Sequence, residues 1–122
     1  MNNLKYSIIY AVIRPEISER LSVGLIIVDG NTFEMRYSQE KLDALKYLFS
    51  DKEYKFISRV ITSLMRNHSI NSIEAVNYLT RYSNNLISVS PLQNIDVTST
   101  KKNKDWLFKT YVYDSSKVVA KT

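Results

Sequence analysis

The chain has 122 residues, 44% hydrophobic and 24% charged, which suits one globular domain and excludes wholesale disorder. It contains no cysteine, one histidine and two glycines, so disulfides, thiolate or multi-histidine metal centres, a cysteine nucleophile and a glycine-rich phosphate loop are all excluded. Seventeen Lys and Arg against twelve Asp and Glu give +5, enough to permit contact with nucleic acid or an acidic protein without requiring either.

Met1 to Lys5 lacks the basic and apolar regions of a signal peptide. The longest apolar run, Val23 to Val28, falls far short of the roughly 18 residues of a membrane span. A cytoplasmic bacterial or phage protein without membrane contact is expected. The segment Leu4 to Arg14 is rich in Tyr, Ile and Val with apolar groups on both faces, so it reads as a central strand ended by Pro15. Glu16 to Arg20 reads as a polar connection and Leu21 to Val28 as a second strand. Gly24 inside that strand points to a bulge or to close approach of another backbone. Asp29-Gly30 predicts a type I′ hairpin turn, and Thr32 to Tyr37 a third strand with Phe33 and Met35 on one face.

Ser38 can cap a helix running to about Phe49, with Leu42, Leu45, Leu48 and Phe49 turned inward. Ser50 and Glu53 have capping-box spacing for a helix over 51–67, whose stripe is Ile57, Val60, Ile61, Leu64 and Met65. A third helix starts near Asn71 with Glu74 at its third position, buries Ile73, Val76, Leu79 and Tyr82, and ends at Asn84-Asn85. Strands follow over Leu86 to Ser90 and Gln93 to Thr98, interrupted by Pro91. Thr98 to Lys104 reads as a basic loop. Asp105 to Tyr113 reads as a short helix facing inward through Leu107, Phe108, Tyr111 and Val112, although so short an apolar run also suits a strand. Residues 115–122 read as a frayed tail after a single domain over 1–114. The order of elements predicts an α+β domain, with about four helices packed on an antiparallel sheet.

Few residues suggest chemistry. Glu16 and Glu19, flanked by Arg14 and Arg20, form the one acidic pair suited to metal binding or acid/base work, and equally suit a solvated connection with local ion pairs. His68 has no serine or aspartate partner that spacing identifies, and it also suits a helix C-terminus. No cofactor is expected. Lys52, Lys55, Arg59 and Arg66 fall within about 60° of arc, opposite the core stripe of their helix, and Glu53 lies off that line. They suit phosphate contacts, an acidic protein, or simply a solvated face. Lys101, Lys102 and Lys104, followed by Trp106 and Lys109, can bind single strands by charge and stacking, or can form a plain basic loop before a helix whose tryptophan packs on the core. The nine tyrosines are spread through the chain, which favours use at the rim of the core over a single patch.

The run Lys5-Tyr6-Ser7-Ile8-Ile9-Tyr10 to Arg14-Pro15, then Glu19-Arg20-Leu21-Ser22-Val23-Gly24-Leu25-Ile26-Ile27, resembles the opening of the bacterial family named domain of unknown function 3037. Ser22 stands where that family usually has Asn. The ending Asp105-Trp106-Leu107-Phe108 to Tyr111-Val112 is similar to the family's closing helix. The resemblance transfers no activity. It implies an accessory role, beside a HipA-like kinase, with Glu19 and Ser22 shaping a turn. The leading expectation is a non-enzymatic accessory or antagonist that binds a partner protein. Nucleic-acid binding is the alternative, and an enzyme built on Glu16 and Glu19 comes third.

Overall fold

The computed structural model describes residues 3–17, 19–66, 71–81 and 86–112. His68, Tyr82, Asn84-Asn85 and the segment 115–122 lie outside them. Five strands form one antiparallel sheet: β1 (Asn3–Arg14), β2 (Glu19–Asp29), β3 (Thr32–Tyr37), β4 (Ile87–Val89) and β5 (Gln93–Thr98). Among the described residues, four α-helices accompany the sheet: α1 (Gln39–Ala44), α2 (Asp51–Arg66), α3 (Ile73–Arg81) and α4 (Lys101–Tyr111). The α+β architecture follows the sequence pattern, and β1 is central. It pairs with β2 along one edge and with β4 and β5 along the other.

The second edge of β1 is filled by what amounts to one strand broken at Pro91, which has no N–H to give the ladder. Ser90 bridges the break. Its N–H donates to the Ile8 carbonyl, its hydroxyl accepts from the Ile8 N–H at 2.8 Å, and its carbonyl accepts from the buried Ser7 hydroxyl.

Strand β2 begins at Glu19, so Glu19 and Arg20 are ladder residues rather than part of a connection; a short 3-10 turn over Pro15–Ile17 makes the link. Tyr10 pairs with Ser22 and Ile9 with Gly24, which leaves Val23 as an extra residue. The bulge re-phases the pleat. Leu21 before it, Val23 in it, and Ile26 and Val28 after it all face one layer, while Leu25 and Ile27 face the other. Gly24 allows a close approach there: a Cβ would sit 3.1 Å from the Arg36 carbonyl oxygen and 3.3 Å from Ile9 Cδ1. At the other end Asp29 still pairs with Thr32, so the hairpin turns at Gly30-Asn31, one residue later than Asp29-Gly30 suggested. Gly30 supplies the positive φ of 60° that a two-residue hairpin loop needs at its first central position.

Helices cover both faces of the sheet. Leu42, Leu45, Ile57, Ile61 and Val76 from α1 to α3 pack with Ile9, Ala11, Val23, Ile26 and Val28. On the opposite face Leu107 of α4 and the adjoining Val112 pack with Leu4, Ile8, Leu25 and Ile27. The capping expectations hold at Ser38, which accepts from the Lys41 N–H, and at Ser50 with Glu53, whose side chains and backbone N–H groups bond reciprocally at 3.1 and 3.2 Å.

Several inward assignments are corrected. Helix α1 ends at Ala44 and tightens into a 3-10 turn at Leu45–Tyr47, which swings Leu48 outward. Met65 and Ile73, at helix ends where the layer beneath runs out, are exposed. Ser72 rather than Asn71 caps α3, so Glu74 sits at its second position. The largest correction is at α4. Thr100 caps it by accepting from the Asn103 N–H, so Lys101, Lys102 and Lys104 belong to a helix and not to a loop.

Candidate functional site

The described residues contain no group of three or more His, Asp or Glu side chains arranged to hold a metal ion, and no helix long and apolar enough to cross a membrane. The acidic pair is split between elements. Glu16 lies exposed in the 3-10 turn, whereas Glu19 opens β2 and faces Arg14 across the ladder at 3.6 Å. Arg20 lies over the Tyr10 ring, 4.0 Å from its centroid. The Arg14–Glu19 and Arg20–Tyr10 contacts lie at the connected end of the β1–β2 hairpin, beside the 3-10 turn.

Ser22 does not shape a turn. Its carbonyl and its hydroxyl accept from Lys41 Nζ at 2.9 and 3.3 Å, tying α1 to the bulged strand. Partial burial pushes the Lys41 ammonium below its ordinary pKa, because it disfavours the charged form.

A second polar cluster joins the β2–β3 hairpin to α4. Arg36 donates through Nη1 to Asp105 at 2.7 Å and through Nε to Glu34. Burial works against the guanidinium charge, but the bonds to Asp105 and Glu34 outweigh it and raise the Arg36 pKa. Lys104 Nζ lies 3.8 Å from both Asp29 and Glu34, and the Ser99 hydroxyl donates to Asp29. Lys104 therefore leaves the set of docking residues. Its side chain is 18% exposed and its charge is compensated. The cause is geometric. Once the helix starts at Lys101, Lys104 falls on the arc of Leu107, Phe108 and Tyr111, while Lys109 joins Lys101 and Lys102 on the outer side.

The cationic line on α2 is present in outline. Lys52, Lys55 and Arg59 are exposed; the side chain of Arg66 lies outside the described set. The line is not free of counter-charge, since Asp51 pairs with Lys55 at 3.1 Å. That pair is solvent-exposed and contributes little. Phe56, exposed and about 40° from Lys52 on the helical wheel, flanks the line on the side away from Lys55. Tyr47 and Leu48 are exposed at the 3-10 turn that touches α2, and Tyr47 reaches 81%. Phe56 and Tyr47 were findable from helical phase; Leu48 was not, because it became exposed only when α1 ended early.

On α4 the tryptophan does not pack on the core. Trp106 is 48% exposed and lines a shallow depression with Lys101, Lys102, Asp105 and Lys109. The two basic helices cover opposite faces of the sheet, so they cannot form one continuous track. Comparison with protein-family models, curated proteins and solved structures gives no match.

Proposed function

We propose that the protein is a small binding module that docks an acidic surface of a partner protein through its α1–α2 face. The observation that carries this reading is the combination on that face of three exposed cations, Lys52, Lys55 and Arg59, with three exposed apolar side chains, Tyr47, Leu48 and Phe56. Protein interfaces are enriched in aromatic residues and arginine, and their binding energy concentrates in a few such anchors. Flanking charge speeds encounter with an oppositely charged partner. An accessory or antagonist subunit in a bacterial or phage system fits this surface, and the resemblance of the opening strands makes a HipA-like kinase the first partner to try.

The test uses the wild type, a Lys55→Glu/Arg59→Glu variant and a Tyr47→Ala/Phe56→Ala variant as bait in native extract. Any captured protein is then purified for kinetics. Both variants should lose the partner, with unchanged melting temperature. The charge reversal should lower the association rate constant by about tenfold at low salt, and the difference should shrink as salt rises. Equal association rates for wild type and charge reversal at low salt would remove the docking role of α2.

A further inference from the structure

With α4 starting at Lys101, residues Lys101, Asp105, Lys109, Lys102 and Trp106 fall in that order across about 140° of outward arc. Asp105 is the one carboxylate in this arc, and Arg36 already holds it. Lys101, Lys102 and Lys109 make no ion pair among the described residues. The first turn of α4 has no acidic residue, although that end of a helix favours negative charge. The free protein therefore places uncompensated positive charge where an anion is favoured. Within this charge sits Trp106, the chain's single tryptophan, half exposed and bordering the depression its neighbours line.

We propose that the outer face of α4 binds single-stranded nucleic acid, with a base stacked on the Trp106 indole and Lys101, Lys102 and Lys109 neutralising adjacent phosphates. The composition of the face favours this occupant over an acidic polypeptide. A protein interface gathers several apolar anchors into a dry centre, as the α1–α2 face can. Among the described residues of α4, Trp106 is the one large apolar side chain exposed to this degree. A lone flat ring bordered by ammonium groups combines stacking with charge, which every base and phosphate can satisfy regardless of sequence. Lys102 and Lys109 stand about 10 Å apart along the helix axis, so the footprint covers only a few nucleotides and binding is weak. A duplex keeps its bases stacked inside and leaves the indole unused.

Binding is read from Trp106 fluorescence and from the anisotropy of labelled oligothymidylate and oligouridylate of twenty nucleotides. Both single strands should quench the indole, and the logarithm of affinity should fall against log salt with a slope of about −2 for three phosphates. Trp106→Ala should weaken binding about tenfold and leave the salt slope unchanged. Lys101→Glu/Lys102→Glu should weaken it further and flatten the slope. All these side chains are exposed, so melting temperatures should stay at the wild-type value. The Lys55→Glu/Arg59→Glu variant should bind the oligonucleotides like the wild type, because α2 lies across the sheet; this separates the two proposals. Equal affinity of Trp106→Ala and wild type, absence of quenching, or poly-glutamate binding as tightly as oligothymidylate would each overturn the assignment.

Discussion

Replacing Gly24 by alanine sets two effects of opposite sign against each other. In an ordinary strand interior the substitution stabilises, by about 0.4–1 kcal/mol, because it restricts the unfolded chain. At the β2 bulge the new methyl group would lie 3.1 Å from the Arg36 carbonyl oxygen and 3.3 Å from Ile9 Cδ1. Ile9 can yield by turning its terminal methyl. The Arg36 carbonyl cannot yield cheaply: it belongs to a strand registered against β2, and its side chain is held by Asp105 and Glu34. Overpacking of this kind costs about 1–3 kcal/mol, so the net effect is a destabilisation of about 1–2 kcal/mol. For a domain of this size that lowers the melting temperature by about 3–12 °C. Thermal melts followed by circular dichroism, with urea unfolding to check the m-value, measure it. Gly30→Ala is the control: it has open space around it but a φ of 60°, so its cost of about 1 kcal/mol is purely backbone strain. A Gly24→Ala variant as stable as the wild type, or more so, would refute the close-approach argument.

Ile61→Ala should cost about 2–5 kcal/mol in urea unfolding, since Ile61 is fully buried between α2 and the sheet, and half-buried Leu64→Ala should cost less. Tyr6 donates to the Tyr111 hydroxyl at 3.1 Å, with the rings stacked 4.6 Å apart, and this bond and burial push the Tyr6 pKa up to about 12 from 10.0. The protonated form is the one favoured in the folded state. Its contribution to stability is therefore complete below pH 10 and lost as pH climbs toward 12. Tyr111→Phe removes the acceptor, so a tyrosinate absorbance titration should show one residue moving back toward 10; no change would show that the bond does not set the shift.

Local patterns carried most of the fold. Strands β1, β3 and β5 lie where alternation and Pro91 placed them, and the capping box at Ser50 and Glu53 marks the start of α2. The misreadings share a cause, which is that neighbours decide what periodicity leaves open. The hairpin turn moved by one residue because the ladder, not the Asp-Gly dipeptide, sets the register at Asp29. The start of α4 was hidden by lysines in a first turn that normally repels them, although Thr100 was a legible cap. That four-residue shift also decided the candidate site. It turned Lys104 inward, toward acids on a distant hairpin; Trp106 faces outward by its phase relative to Leu107, Phe108 and Tyr111, wherever the helix starts. Partition of the two basic segments to opposite sides of the sheet is a property of topology, which charge counting does not report.

The position of β1 has a consequence for folding. Its first edge is filled by β2 within the next turn of chain, but its second edge waits for β4 and β5, more than seventy residues later. Pairings of such sequence separation form slowly, because loop closure must precede any gain from contact. During that interval the growing chain presents an apolar strand with one open ladder, the usual template for intermolecular pairing. A ribosome pausing between Arg81 and Leu86 would hold the nascent protein in its most aggregation-prone form, and release of Ile87 to Thr98 would close the vulnerable edge.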